Sequence, residues 1–370
     1  MRPIKTLATL ILLLAGHLLA AAPKPWLQVK AARWGRQQPF LVGSNYIPSS
    51  AINQLEMWQA ETFDPQRIDQ ELGWAEGLGM NTMRVFLHDL AWQQNPDAFR
   101  QRLDAFLRIA DRHHIRPLLV LFDSCWDPNP HSGRQREPTP GVHNSGWLQS
   151  PGATTLDTPE EYPRLEAFVK GVVGAFAADQ RILGWDLWNE PDNGNAGSFK
   201  DPADKVQRVL VLLPRVFGWA RSVNPSQPLT SGVWQGDWSS PDKLSPMEKI
   251  QLDNSDVISF HSYDPPDAFE RRIKSLLRYR RPILCTEYMA RPRGSTFESI
   301  LPVAKKYDVA AINWGFVEGR TQTYLPWDSW QHPYVDHPPE VWFHDIFHAD
   351  GTPYSQQEAD FIRRIAGKTR

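Results

Sequence analysis

Two glutamates close short apolar runs in this chain: Ile182-Leu183-Gly184-Trp185-Asp186-Leu187-Trp188-Asn189-Glu190 and Pro282-Ile283-Leu284-Cys285-Thr286-Glu287. Runs of that kind read as buried strands, and Pro191 ends the first because it has no N–H for a ladder. Period-2 alternation places Trp185, Leu187 and Asn189 on one face, with Gly184, Asp186, Trp188 and Glu190 on the other. Taken alone, a strand-end glutamate also fits a structural pairing with an arginine. Two of them on parallel strands of one closed sheet, however, reach the same rim. Two carboxyls facing each other across a cleft are the minimum equipment for splitting a glycosidic bond.

The elements that must position them alternate along the chain. Strands are expected at 39–45, 80–88, 118–123, 182–190, 228–234, 256–261, 282–287 and 309–314. Helix starts fall between them: Asp64-Pro65, Asn95-Pro96, Thr158-Pro159, Asp201-Pro202, either Ser295 or Thr296, and Ser355 each place a capping side chain before a helical pattern. A helix is also expected from about Asp267 to Tyr279, and a short proline-broken piece around Ser245-Pro246. Residues 26–38 read as a lead-in, with a strand over the barrel floor. Eight such repeats imply parallel strands closing into a ring, so the expected fold is α/β, a single-domain (β/α)₈ TIM barrel over residues 23–370. Long βα loops follow strands 3 and 8, at 127–155 and 318–340, carrying Trp147, Trp327 and Trp330. A wall of loop at one end of a cleft implies exo-action or short substrates, and an open groove implies endo-action.

Residues 1–22 form a secretory leader by pattern: Arg2 and Lys5, an apolar run from Leu7 to Leu19, then Ala20-Ala21-Ala22. The run is short for a membrane span. A secreted or periplasmic protein, free of the membrane after cleavage, is therefore expected. Two cysteines, Cys125 and Cys285, make no disulfide framework and read as buried thiols. Net charge is −2, with both signs spread along the chain, which argues against nucleic acid as a partner. A monomer is expected. The 16 tryptophans are more than a core requires, and several fall in connections.

Barrels of this type carry their chemistry at the carboxyl ends of the strands. Those ends read Asn45 and Tyr46; Arg84 and His88; Asp123 and Trp126; Asn189 and Glu190; Trp234; His261 and Tyr263; Glu287; Trp314. Burying so many polar groups at one end is costly without a ligand. Each has a plainer reading: Arg84 as an ion-pair partner, His261 as a satisfied core histidine, Tyr263 as a strand cap, Trp126, Trp147 and Trp234 as packing.

With these motifs in order, the sequence resembles the clan-A retaining (β/α)₈ glycoside hydrolases, most closely the cellulase-like family five. The residues that carry the likeness are Arg84, Trp188-Asn189-Glu190-Pro191, His261-Ser262-Tyr263, Glu287 and Trp314. The resemblance implies a carbohydrate substrate, Glu190 as general acid/base and Glu287 as nucleophile. It also implies Asn189 as donor to the sugar 2-hydroxyl and Trp314 as a platform under the ring. Asn45, Arg84, His88, Asp123, Trp126, Trp234, His261 and Tyr263 complete the expected substrate-binding set. Asp123 departs from the family, many members of which have histidine there. Mannan- or glucan-type substrates follow from family analogy. The same carboxylates would also serve a transglycosylase, and a non-catalytic carbohydrate-binding barrel is the reading from another class.

No cofactor or metal is expected. His344 and His348 have the i, i+4 spacing of a zinc helix, with His332 and His337 nearby, but Asp345 stands where such a motif needs glutamate. Neither a phosphate loop nor a nucleophile elbow is present.

Overall fold

The computed structural model describes residues 24–195 and 197–367, so the leader lies outside the described residues. Eight parallel strands form the centre: β1 Val42–Asn45, β2 Thr82–Phe86, β3 Leu118–Val120, β4 Gly184–Asp186, β5 Leu229–Thr230, β6 Ile258–His261, β7 Ile283–Glu287 and β8 Ala310–Asn313. Their order is β5-β4-β3-β2-β1-β8-β7-β6. Between β5 and β6 the ladder thins to one parallel bridge, Val233 to Phe260, which closes the ring. Gly43 pairs with Thr82, and a Cβ there would stand 2.0 Å from the Thr82 carbonyl oxygen, so only glycine permits this approach of β1 to β2.

A helix follows each strand: α1 Pro65–Gly77, α2 Pro96–Arg112, α3 Tyr162–Ala175, α4 Lys205–Ser222, α5 Pro246–Asn254, α6 Pro266–Leu276, α7 Phe297–Lys306 and α8 Gln356–Ala366. The expected caps Asp64, Asn95, Thr296 and Ser355 each accept a backbone N–H of the first turn. Two starts differ. Asp201-Pro202 does not open α4, because the Asp201 carboxylate instead takes Lys205 Nζ at 2.9 Å and Asn195 Nδ2 at 2.7 Å. The piece at Ser245-Pro246 is a full helix, α5: Ser245 and Glu248 form a capping box and the proline occupies the first turn, where no N–H is needed.

The lead-in is also corrected. Gln28–Arg36 is a helix, made of good helix formers, with Arg33 and Arg36 in its last turn near the negative dipole end. Its Trp34 packs on an apolar floor of Leu41, Leu118, Leu183, Val257, Leu284, Ala310 and Ile312. The main core lies between strands and outer helices. The inside of the ring is thus lined by apolar side chains at its amino end, and the polar side chains inside it collect at the other. Among the described residues no helix is long and apolar enough to cross a membrane.

Candidate active site

Glu287 is the last residue of β7 and sits in the ladder opposite His261. Glu190 is held differently. The β4 ladder stops at Asp186, and Glu190 has φ +41°, a region that costs a non-glycine residue roughly 1–3 kcal/mol. The turn breaks the expected alternation: Asn189 and Glu190 both reach the cleft, while Trp188 packs outward on Phe122 at 5.0 Å and donates Nε1–H to Ser124 Oγ at 2.9 Å.

One carboxylate oxygen from each of Glu190 and Glu287, with a ring nitrogen of His261, lie within 4.8 Å of one another. Arg84 organises what surrounds them. Its Nε and Nη2 donate to Asp186 Oδ2 at 2.9 and 2.7 Å. Nη1 donates to Glu287 Oε1 at 2.8 Å and Asn45 Oδ1 at 3.0 Å, and Nη2 also reaches Asn189 Oδ1 at 2.7 Å. A planar fork fixes four partners at once, which a lysine cannot do. Tyr263 OH donates to Glu287 Oε2 at 2.8 Å. Around Glu190 the donors are neutral: Asn193 Nδ2 at 2.6 Å and the Cys125 thiol at 3.3 Å, both to Oε2, with His261 Nδ1 at 2.9 Å from Oε1.

Burial pushes both carboxyls up from the ordinary glutamate range. Glu287 directly contacts a guanidinium, so its charge is compensated; Glu190 has no cation in contact, so its proton is retained to higher pH. Burial pulls His261 down to about 4, so the ring is neutral near pH 7. Its Nε2 has no protein partner, and a proton on Nδ1, between the two carboxyls, avoids burying an unpaired N–H.

The cavity above these groups is about 250 Å³. Asn189, Glu190, Glu287 and Tyr263 supply its polar wall, and Trp126, Trp147, Trp234, Trp314 and Trp327 most of the rest. Trp314 is fixed by edge contacts with Phe86 and Trp147 at 6.0 and 5.8 Å. The match to the model of Cellulase (glycosyl hydrolase family 5) runs over residues 79–332, from just before β2 to beyond β8, and spans both glutamates. The chain belongs to glycosyl hydrolase family 5.

It is therefore a retaining glycoside hydrolase with a (β/α)₈ barrel. An exo-β-1,4-mannosidase from Opitutaceae bacterium strain TAV5 superposes with TM-score 0.59 at 20% identity, over 89% of this chain and 59% of that one. This chain thus spans less than two thirds of that mannosidase. A β-1,4-mannanase from the sea hare Aplysia kurodai gives 0.54 at 18%, over 75% and 88%. The endo-1,4-β-mannanase of Rhizomucor miehei gives 0.55 at 14%, over 90% and 95%. At these identities the likeness is one of fold. No curated protein matches the chain.

Within this family-5 barrel the expected binding residues divide into two layers. Trp126, Asn189, Trp234, Tyr263 and Trp314 line the cavity. Asn45, Arg84, Asp123 and His261 stand behind it, buried; the last three bond residues that line it, and Asn45 bonds Arg84. Asp123, at the departure from the family, accepts Trp147 Nε1–H at 2.6 Å and Asn189 Nδ2–H at 3.0 Å, so its carboxylate faces protein rather than cleft. His88 is a correction: it is buried away from the cavity, capping a short helix through Nδ1 and meeting the Gln149 carbonyl at 3.1 Å. A strand-end histidine fills that capping role as naturally as a ligand role.

Three lining residues escaped the sequence reading of the site: Cys125, Asn193 and His143. Cys125 and Asn193 each lie just beyond a strand-end carboxyl, which is the signal that finds them; His143, mid-loop, had none. The late histidines form no helix. His344 is buried with Nδ1 at 2.5 Å from the Met289 carbonyl, and His348 Nδ1 meets Glu318 at 3.2 Å. Glu190, His261 and Glu287 form the one metal-capable group among the described residues, but the guanidinium at 2.8 Å from Glu287 opposes a divalent cation there.

Proposed function

We propose that the chain is an exported hydrolase of β-linked mannoside-type substrates, working by double displacement with Glu287 as nucleophile and Glu190 as general acid/base. The observation that carries the role assignment is the asymmetry of the pair: one carboxylate braced by Arg84 and Tyr263, the other surrounded by neutral donors. Their oxygens, within 4.8 Å, fit the short separation of about 5–5.5 Å that leaves no room for an intervening water. The mannoside lean rests on the printed activities of the structural neighbours.

In the first step a Glu287 oxygen bonds the anomeric carbon while the bond to the leaving oxygen breaks and takes the Glu190 proton. In the second, Glu190 removes a proton from water, the hydroxyl bonds the anomeric carbon, and Glu287 departs as carboxylate. Asn189 is locked by Arg84 and Asp123, and its second N–H faces only Cys125 Sγ at 3.4 Å, a weak acceptor that a sugar 2-hydroxyl replaces. Trp314 offers its face to the ring.

A 2-deoxy-2-fluoro-β-mannosyl fluoride tests this directly. The expected result is one covalent sugar on Glu287 by peptide mass spectrometry; a label on another residue reassigns the nucleophile. Sequencing the amino terminus of the secreted protein checks export, with a start at or near residue 23 expected.

A further inference from the structure

Resting on that reading, we infer that the enzyme acts from the chain end, releasing one sugar at a time, because the loops after β3 and β8 close one side of its cavity. The loops after β3 and β8 are laced together over one side of the barrel. Backbone bonds join Asn144 N to Thr321 O and Tyr334 N to Gly141 O, each at 2.8 Å. His143 N donates to Ser329 Oγ and its Nδ1 meets the Leu325 carbonyl, both at 2.9 Å. Gln322 takes the Gly141 N–H at 2.8 Å and donates to the Thr139 carbonyl at 2.9 Å. At Gly141 φ is +73°, and a Cβ would lie 2.6 Å from the Tyr334 backbone, so the crossing itself requires glycine.

Rings carry the closure further round the rim. Trp330, from the β8 loop, stacks on Trp126 at 5.1 Å and meets Phe199 of the β4 loop edge-on at 5.4 Å. Trp327, from the same loop, meets Tyr263 beyond β6 at 4.9 Å. The β8 loop therefore touches the loops after β3, β4 and β6, and no residue after β1 or β2 lines the cavity. Trp234 beyond β5 stands outside the lacing, half-buried, with its indole N–H held by Asp192 at 2.6 Å. That rim adjoins Glu190, whose proton goes to the leaving group. One sugar occupies the closed end, and the rest of the substrate leaves past Trp234. A polymer crossing the site needs two exits, and the laced loops stand across one of them.

The experiment uses the full chain and β-1,4-mannopentaose labelled with a fluorophore at its reducing end, beside an aryl β-mannoside. The expected first products are free mannose and labelled tetraose. Labelled dimer or trimer among the first products, with the aryl mannoside still cleaved, overturns end-action and leaves the hydrolase reading intact. Failure to cleave both substrates refutes the mannoside reading, and this inference with it. Trp330→Ala, which removes a ring from the arch but none from the cavity, is expected to lower the ratio of mannose to longer first products by about fivefold, the worth of one aromatic pair. An unchanged ratio, in a variant with the parent's melting temperature, overturns the assignment of the block to this arch.

Discussion

Glu190 and Glu287 are both buried and both pushed upward by burial, yet their surroundings differ in kind. Glu287 ends a regular strand and is bonded to a guanidinium and a phenol. Glu190 lies past the end of its strand, at positive φ, bonded to an amide and a thiol. Burial alone cannot assign two carboxyls to two roles, because it shifts both the same way. The neighbouring cation separates them: a carboxylate beside Arg84 keeps its charge, and one without such contact keeps its proton. The backbone differs in parallel. In the proposed mechanism, a ladder fixes the group that attacks along one line, and a turn places the group that passes a proton both ways.

The largest effect is expected from Glu287→Gln, which removes the proposed nucleophile. Turnover of an aryl β-mannoside should fall by more than about 10⁴-fold with the circular dichroism spectrum unchanged. A loss of only tenfold would mean that the two roles have been assigned the wrong way round. Glu190→Ala should cost about 10²–10⁴-fold, most for poor leaving groups, and should remove the alkaline limb of kcat/KM. That limb reports loss of the acid's proton, so activity holds below its pKa and falls above it; burial sets it higher than an ordinary glutamate would.

Arg84→Lys sharpens the comparison. A point charge cannot serve Asp186, Glu287, Asn45 and Asn189 together, so kcat should drop by about 10²-fold with a smaller change in KM, measured by steady-state kinetics. Equal activity would show that charge alone, without the fork, braces the nucleophile. The smallest effect belongs to Cys125→Ala. The thiol donates to the ionised form of Glu190, so its loss should move the alkaline limb to higher pH by less than about one unit. A move to lower pH would contradict that donation.

Much of the frame was legible in the residues. Capped helix starts such as Asp64-Pro65 and apolar strand runs such as 282–287 obey local rules, and eight strands with helical stretches between them leave few ways to close a sheet. Residues 26–38 suggest a strand over the floor, whereas Gln28–Arg36 forms a helix: nine residues are too few for helical spacing to stand out in a sequence, and Trp34 packs on the floor only once the ring exists. Asp201-Pro202 misled because a carboxylate that caps a helix serves Lys205 and Asn195 equally well. His88 and Asp123 stand at the strand ends where the pattern put them, but which way a side chain turns there depends on partners such as Gln149 and Trp147, both inside the long loop after β3.

By itself the sequence determined that two glutamates stand at or just past the carboxyl ends of two strands of one parallel barrel, since side-chain period and capping chemistry act over a few residues. Tertiary structure alone decided which glutamate meets Arg84, how Glu190 is turned into the cleft, and that the loops after β3 and β8 close over one side. Those outcomes depend on groups 65 to 203 residues apart coming within hydrogen-bond distance, and local preference carries no record of such meetings.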